Sequence, residues 1–383
     1  MVGILEEQHP DRARLFMQWK RMGWPLLVDS YNLLGVPYVP ITLAIDEYGV
    51  IRAIHPAMQK PAEIEQSFLA QRYEQPAGYR GTGPRAPDLS RLRPPAASAP
   101  STAWRDYGDS LAVWGDEGRL SDAIAAYQRA AKLDPADLWS RFRLGVAYRK
   151  RYDSGTREAD DFQHAAESWA AALDIDPNQY IFRRRIQQYG PRLDKPYSFY
   201  DWVVTARQEI AARGETPVSL SVEPGGAEFA APLKVFGAAE SDSAEPPDPK
   251  RRIIEDDGRF IRIETVTVPP SIKPGAAARA HVVFRPNLAI KSHWNNEQRD
   301  GLRFWIDPPP KWQVDARSLS FPNPREPVSQ ETRKLEFEIR ALEGVKPGSH
   351  FIPGYALYYV CEDVNGVCMY RRQNATVEVV VRR

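Results

Sequence analysis

Two cysteines, Cys361 and Cys368, carry the most distinctive chemistry of this chain, because no other cysteine occurs among its 383 residues. Residues 355–360 before them and 369–381 after them have strand-like patterns, and Asp363-Val364-Asn365-Gly366 has turn chemistry. A hairpin closed by this turn places Cys361 directly opposite Cys368, with side chains about 4.5–5.5 Å apart, which is close to disulfide geometry. Such a pair can exchange disulfides or staple the hairpin.

Exchange chemistry requires a thiolate, and a neighbouring positive charge lowers the pKa of a cysteine. Alternation along the second strand puts Arg372 on the same face as Cys368, so we expect Arg372 to supply that charge. The alternative is a structural disulfide, although closing so short a loop gains little chain entropy. Free buried thiols are a further alternative. A metal site adding Met369, His293 or His350 has no paired ligand spacing to support it, and we expect no metal or cofactor.

Composition limits the classes of partner. The 51 basic residues balance 50 acidic ones, which argues against nucleic acid or an anionic membrane held by bulk charge. No apolar run reaches the roughly 20 residues that span a bilayer, and the first residues show no signal-peptide pattern. A chain of 383 residues is expected to hold two or three domains.

Residues 1–75 alternate short apolar runs with helical patterns and end in a hairpin turned at Glu47-Tyr48-Gly49. The stretch Gly35-Val-Pro-Tyr-Val-Pro-Ile-Thr-Leu-Ala-Ile-Asp-Glu-Tyr-Gly-Val-Ile51 resembles the C-terminal two-thirds of a thioredoxin-like domain of the TlpA type. The resemblance implies that Pro40 is the cis-proline that borders the redox site. It also implies that the Cys-x-x-Cys unit of the family would precede the start of this chain.

Two interpretations of this N-terminal region stay open: a truncated gene product or a degenerate domain. Truncation also accounts for the missing signal peptide, and we then expect a periplasmic or otherwise extracytoplasmic protein. If Met1 is the true start, a cytoplasmic location is expected instead.

Residues 76–102 are rich in proline and small residues without apolar periodicity, which predicts a linker. Residues 103–214 are helical in pattern and contain an internal repeat. Small residues let helices approach, an aromatic residue fills the gap between them, and a proline ends each unit. These positions are Ala123, Tyr127, Ala130 and Pro135, which recur as Ala165, Trp169, Ala172 and Pro177. They resemble tetratricopeptide repeats, which implies docking of a protein partner.

A third helical pair is expected over residues 179–189 and 199–213, with Ser198 and Asp201 at the start of its second helix. The basic run Arg183-Arg184-Arg185 could recognise an acidic partner, but a solvated helix face is the simpler interpretation.

Residues 215–383 change to period-two alternation with turns between strands, which indicates an antiparallel β-sandwich. Residues 265–383 are similar to the N-terminal, immunoglobulin-like domain of the DsbD family of thiol:disulfide interchange proteins. The similarity rests on Val268-Pro-Pro-Ser-Ile-Lys-Pro-Gly275, His293-Trp294-Asn295, Gly301-Leu302, Ile306-Asp307-Pro308 and the cysteine hairpin. It implies that Cys368 attacks partner disulfides and that Cys361 is the resolving thiol. It also implies a capping loop within residues 288–300, in which Trp294 is the candidate aromatic residue.

The sequence therefore predicts a multidomain protein: a partial α/β thioredoxin-like fold, all-α tetratricopeptide-type helical repeats and an all-β immunoglobulin-like sandwich. The expected function is extracytoplasmic thiol–disulfide exchange, as a redox relay or its scaffold. Expected partners are thioredoxin-like proteins or exported thiol proteins, which would dock through the repeats and the sandwich. The alternative is a non-catalytic interaction scaffold whose cysteines form a structural disulfide.

Overall fold

The computed structural model describes residues 2–54, 61–81, 86–192, 200–224, 245–298, 300–362 and 366–383. Parts of four sequence-predicted features lie outside these residues: residues 82–85 of the linker, Ser198 and Phe199 at the expected helix start, residue 299 of the capping loop, and residues 363–365 of the hairpin turn. The described chain consists of an N-terminal α/β region, a helical region and a C-terminal β region.

The N-terminal region alternates short strands and helices. Its elements are β1 (Gly3–Leu5), α1 (Asp11–Lys20), β2 (Leu26–Val28), β3 (Leu43–Ile45), β4 (Ile51–Ile54) and α2 (Pro61–Ile64), the last followed by a π-helical turn (Glu65–Leu69). β1 and β2 pair in parallel, and β3 and β4 form the predicted hairpin. Within the described residues these pairs are two separate two-stranded sheets, so the thioredoxin-like assignment stays a prediction.

Asp46 organises the β3–β4 turn through its side chain. Its carboxylate accepts hydrogen bonds from the backbone N–H groups of Tyr48 and Val50, each at 2.9 Å, and pairs with Arg52 at 2.7 Å. Gly49 has a φ of 82°, which a glycine adopts without a Cβ clash. Asp46 and Gly49 therefore close the predicted turn through their own hydrogen bonds and backbone conformation.

The helical region is built from antiparallel neighbours. Its elements are α3 (Ser101–Trp114), a short 3₁₀ turn (Glu117–Arg119), α4 (Leu120–Leu133), α5 (Leu138–Tyr152), α6 (Asp161–Ile175), α7 (Tyr180–Gln187) and α8 (Trp202–Ala212). α3 packs on α4 and α5 on α6, as the sequence repeat predicts. Gly145 lets α5 approach Trp169 of α6, because a Cβ at this position would meet the indole ring at 2.5 Å.

Both helices of the expected third pair are present as α7 and α8, but among the described residues they do not pack on each other as the other pairs do. α8 packs against α1 of the N-terminal region, with Val203, Ala206 and Ile210 in one buried cluster with Leu15. Trp19 of α1 stacks on Trp202 with ring centroids 5.9 Å apart. The apolar side of α8 was predicted correctly from its helical period, but that side is buried by α1 rather than by α7.

The β region contains two sheets. Its strands are β5 (Ile261–Val268), β6 (Ser271–Ile272), β7 (Ala277–Pro286), β8 (His293–Asn295), β9 (Leu302–Ile306), β10 (Trp312–Val314), β11 (Ser318–Phe321), β12 (Val328–Ser329), β13 (Arg333–Ala341), β14 (Gly348–Cys361) and β15 (Cys368–Val381); a 3₁₀ turn (Leu288–Ile290) precedes β8.

The strand order is β10-β13-β7-β5 in the smaller sheet and β11-β9-β14-β15-β6 in the larger, where β8 pairs with β14 and β12 with β8. One buried hydrophobic cluster draws side chains from both sheets, for example Phe284 and Phe337 from one and Phe304 and Val379 from the other. The region is therefore sandwich-like, with alternate side chains of each strand directed into the shared core.

The three regions are joined by a second core. Tyr31 of the N-terminal region, Phe142 and Trp169 of the helices, and Val266 and Val268 of β5 belong to one buried hydrophobic cluster. No helix among the described residues has both the length and the apolarity needed to cross a membrane.

Candidate functional site: the hairpin disulfide

Cys361 and Cys368 face each other at the end of the β14–β15 hairpin. The β14–β15 ladder pairs 14 residues on each strand, and its last pair is Cys361 with Cys368. Their Cα atoms are 4.2 Å apart and their sulfur atoms are at bonding distance, 2.00 Å. The predicted opposition of the two cysteines is confirmed, and the pair is a disulfide in this structure.

The two cysteines differ in exposure. Cys361 is 1% exposed, whereas Cys368 is exposed and follows Val367, which is 77% exposed. The difference comes from the strand neighbours: β14 is flanked by β15 on one side and by β8 on the other, and Cys361 pairs with His293 of β8. Solvent therefore reaches the disulfide from the side of Cys368.

An aromatic pair lies next to the disulfide. Tyr359 and Tyr370 are opposite each other in the ladder, two positions before Cys361 and two after Cys368, so all four side chains share one sheet face. The two rings stack with centroids 4.3 Å apart. Burial, with a smaller effect of Tyr359, raises the pKa of the Tyr370 hydroxyl. The disulfide is thus bordered by a half-buried aromatic surface.

The remaining polar neighbours of the pair come from β8 and from the residue after Cys361. His293 is 8% exposed, and its Nδ1 lies 3.1 Å from the carbonyl oxygen of Lys291. Glu362 forms an ion pair with Arg259. The disulfide therefore has an imidazole on the neighbouring strand and an exposed ion pair at the end of β14.

The structure does not bring Arg372 to the cysteines. Arg372 lies on the expected sheet face, but four strand positions from Cys368, which corresponds to roughly 13 Å. Its guanidinium group donates to the Asp248 carboxylate at 3.1 Å and lies 3.6 Å from the centre of the Tyr355 ring. Strand alternation predicted the sheet face of Arg372 correctly. It could not predict the distance from Arg372 to Cys368 or the ion pair with Asp248.

Trp294 is placed in the sandwich core rather than over the cysteines. Its side chain is fully buried, its indole N–H donates to the carbonyl oxygen of Glu331 at 2.8 Å, and Arg333 lies 4.3 Å from its ring. The register explains this position: Trp294 pairs with Val360 and so points to the inner face, one residue out of phase with the cysteines. His293, its neighbour, takes the position on the cysteine face.

Pro40 lies in the N-terminal region, immediately before the β3–β4 hairpin. The Val39–Pro40 peptide bond is cis, the geometry that the resemblance implies. Within the described residues no hydrogen bond, ion pair or ring contact joins Pro40 to the cysteine hairpin, so its place beside a redox site stays a prediction.

The candidate metal ligands do not converge in the described part of the chain, which contains no group of three or more His, Cys, Asp or Glu side chains able to hold an ion. Met369 packs on the sandwich core, and its sulfur accepts a hydrogen bond from Arg371 at 2.9 Å.

Sequence reasoning missed the aromatic pair and the position of His293 beside Cys361. Tyr359 and Tyr370 carried a usable signal, because each is two positions from a cysteine on a predicted strand. His293 carried none, since its pairing with Cys361 depends on a register between strands that are distant in sequence.

A family model of the TPR repeat matches residues 116–150, which cover α4 and most of α5. The helical region carries a TPR repeat. TPR repeats are helical pairs that stack on their neighbours, which agrees with the packing of α3 to α6 and suggests protein–protein interaction. No curated protein matches the chain.

Solved structures give weak similarities. A protein of unknown function from Porphyromonas gingivalis W83 is 13% identical, over 32% of this chain and 47% of that chain, with a TM-score of 0.19. AvmM, which catalyses macrocyclization in alchivemycin A biosynthesis, is 14% identical, over 34% and 96%, with a TM-score of 0.18. AggA, the major subunit of aggregative adherence fimbriae type I from Escherichia coli, is 14% identical, over 34% and 99%, with a TM-score of 0.19. These values support no argument about function.

Proposed function

We propose that the protein exchanges disulfides with protein partners outside the cytoplasm, through Cys368 and Cys361, while its helical repeats help to dock the partner. The observation that carries this proposal is the unequal exposure of the two sulfur-bearing residues: Cys368 is exposed and Cys361 is 1% exposed. An exchange-active pair needs one sulfur that a partner can reach and one that is protected until the first has reacted.

The exchange proceeds in two balanced steps. In the reduced protein, the Cys368 thiolate attacks a partner disulfide, so a mixed disulfide forms and the first partner sulfur leaves as a thiolate. Cys361, deprotonated to a thiolate, then attacks the Cys368 sulfur, which closes the Cys361–Cys368 disulfide and releases the second partner sulfur. The partner gains two electrons, this protein loses two, and the released thiolates take up protons from water.

The surroundings of the pair support this role. Tyr359 and Tyr370 offer a partner an aromatic surface on the same face as the disulfide. The disulfide joins residues only seven positions apart, so as a staple it gains little chain entropy. Disulfides form and persist in oxidising compartments, which supports an extracytoplasmic location.

Trapping experiments test the proposal. The full-length Cys361→Ser variant is mixed with an oxidised thioredoxin-like protein, and mixed disulfides are detected by non-reducing electrophoresis. We expect the Cys361→Ser variant to form a mixed disulfide and the matched Cys368→Ser variant to form none. If the Cys361→Ser variant is folded and captures no partner, exchange through Cys368 is refuted.

A structural disulfide in an interaction scaffold is the second candidate, and the position of Arg372 favours it. Arg372 was the expected source of positive charge for a thiolate, yet it pairs with Asp248. The reduction potential of the cysteine pair separates the two functions. A potential below about −300 mV indicates a bond that resists the glutathione pool and serves structure, and a higher value indicates exchange.

A further inference from the structure

Residues 30–37, which we call the docked segment, lie against the helices α3, α5 and α7, which together we call the first-helix face. Arg143 of α5 donates to the carbonyl oxygen of Tyr31 at 3.3 Å, and Arg185 of α7 donates to that of Ser30 at 3.1 Å. At the other end, the backbone N–H of Tyr180 donates to the carbonyl oxygen of Pro37 at 3.2 Å. The helices thus bind the backbone of this segment at both of its ends.

Tyr31 anchors the segment. Its side chain is 3% exposed and belongs to the same buried cluster as Leu111 of α3 and as Phe142 and Val146 of α5. The ammonium group of Lys150 lies 4.6 Å from the centre of its ring. Among the described residues the Tyr31 hydroxyl makes no hydrogen bond. The ring rather than the hydroxyl therefore provides the binding energy.

The docked segment holds its own shape. Asn32 is fully buried and left-handed at φ 48°, and its side-chain amide exchanges two hydrogen bonds with the backbone of Val36, at 2.8 and 2.9 Å. The Asp29 carboxylate accepts from the N–H groups of Leu33 and Leu34 at 2.8 and 3.0 Å. A turn closed by its own side chains loses little conformational freedom on binding, which favours affinity.

The first-helix face is also organised independently of the segment. Arg143 pairs with Asp109 of α3 at 2.6 Å, which fixes the guanidinium group that contacts the segment's carbonyl oxygens. Because the contacts go to backbone carbonyl oxygens and to one aromatic ring, another protein segment with a tyrosine in a similar turn meets the same requirements. The docked segment then acts as an intramolecular ligand of the first-helix face.

We propose that the first-helix face is a docking site for a tyrosine-bearing turn of a partner protein, and that the docked segment of this chain occupies it and competes with that partner. The docked segment thereby blocks the protein–protein interaction expected of TPR repeats until a partner displaces it. This proposal is independent of the cysteine chemistry, because none of its residues lies on the hairpin.

A labelled peptide with the sequence of residues 29–38, Asp-Ser-Tyr-Asn-Leu-Leu-Gly-Val-Pro-Tyr, tests the proposal by fluorescence anisotropy. When the docked segment fills the site, only the fraction of molecules in which it has left can bind the peptide, so the apparent affinity falls by that fraction. Full-length Tyr31→Ala should therefore bind the peptide at least about tenfold more tightly than the natural chain. Tyr31→Phe keeps the ring, and Tyr38→Ala removes an exposed tyrosine outside the docked segment. Both controls should bind as weakly as the natural chain.

A second measurement covers the case in which Tyr31→Ala does not fold. The natural full-length chain is followed by hydrogen exchange and mass spectrometry, with and without an excess of the labelled peptide. The peptide should speed the exchange of residues 30–37 of the chain, whereas a peptide with alanine at the Tyr31 position should not. The proposal is overturned if the peptide neither binds a folded Tyr31→Ala variant more tightly nor speeds the exchange of residues 30–37.

Discussion

The guanidinium group of Arg372 donates a hydrogen bond of 3.1 Å to the carboxylate of Asp248, and both side chains are buried. Arg372 also donates to the backbone carbonyl oxygen of Asp248 at 2.9 Å. The pair ties residue 248 to the outer face of the β14–β15 hairpin. It therefore serves the stability of the hairpin surface rather than the reactivity of Cys368.

Asp248→Asn should lower the free energy of unfolding by about 2 kcal/mol, because the buried guanidinium group loses its charged partner. Urea unfolding measures this loss. The rate at which Cys368 reacts with iodoacetamide, in the Cys361→Ser background, should stay unchanged. Asp300→Asn is the matched control, since it removes an exposed ion pair with Arg303 and should change stability by less than about 0.5 kcal/mol.

The same pair predicts a response to acid. Burial raises the pKa of Asp248, but hydrogen bonds from the backbone of Arg252 and from Arg372 outweigh it, so the net pKa lies below the ordinary 3.8. The stabilisation is therefore complete above about pH 4 and is lost as the pH falls through the folded-state pKa. Asp248→Asn should unfold with a weaker acid dependence than the natural protein, and equal acid dependence in both proteins would contradict the assignment.

Thiol reactivity should differ between the two cysteine variants. Cys368 in Cys361→Ser is exposed, whereas Cys361 in Cys368→Ser remains buried beside His293. We expect Ellman's reagent to modify the exposed thiol at least about tenfold faster, because reactivity requires access as well as a thiolate. After unfolding in guanidinium chloride the two rates should become similar. Equal rates in the folded variants would show that the buried position does not protect Cys361.

Gly145→Ala should destabilise the helical region. The added Cβ would meet the Trp169 ring at 2.5 Å and the carbonyl oxygen of Ala165 at 2.9 Å, so α5 and α6 have to separate. Overpacking of this kind costs about 2 kcal/mol, which thermal unfolding detects. Gly23→Ala is the control, because nothing lies within 4 Å of the position that its added Cβ would take, and it should leave stability within about 0.5 kcal/mol.

Glu6 predicts a loss of stability towards alkaline pH. Burial, reinforced by Asp29 and opposed by Arg185, raises the pKa of its carboxyl group from 4.5 to about 8. Because the folded-state pKa lies above the unfolded one, the contribution of the neutral group is complete below pH 4.5 and is lost as the pH rises to about 8.

Glu6→Gln should remove this loss. The change in unfolding free energy that the substitution causes should be about 2 kcal/mol more favourable at pH 8 than at pH 5, a figure reduced for the partial exposure of the group. Urea unfolding at the two pH values measures the difference. Glu74→Gln alters an exposed glutamate and should show no such change. A Glu6→Gln variant with the pH dependence of the natural protein would refute the assignment.

Local patterns predicted much of the architecture. Period-two alternation and the intervening turn predicted the opposition of Cys361 and Cys368, and the recurrence of small and aromatic residues predicted that Trp169 fills the gap between two helices. Both features depend on residues that are close in sequence or repeat at a fixed spacing. Local spacing alone therefore determines which side chains come into contact.

Partners that come from distant segments could not be predicted. Arg372 meets Asp248 across 124 residues, and Trp19 donates to Glu209 across 190 residues. Alternation or helical period predicts which side of its own element a side chain occupies. It does not predict which of several apolar surfaces elsewhere in the chain packs against that side. The position of Trp294 was also beyond sequence prediction, because a shift of one residue in strand register moves a side chain from the cysteine face to the inner face.

The packing of α1 on α8 has a consequence for biosynthesis. Translation delivers α1 early, but the side chains that cover Leu15 and Trp19 belong to a helix synthesised after the linker and the other helices of the repeat region. During that interval the nascent chain exposes the apolar side of α1, a surface of the kind that holding chaperones bind. A ribosome that pauses before residue 202 prolongs this exposure, which ends only when α8 has emerged from the ribosome and packed on α1.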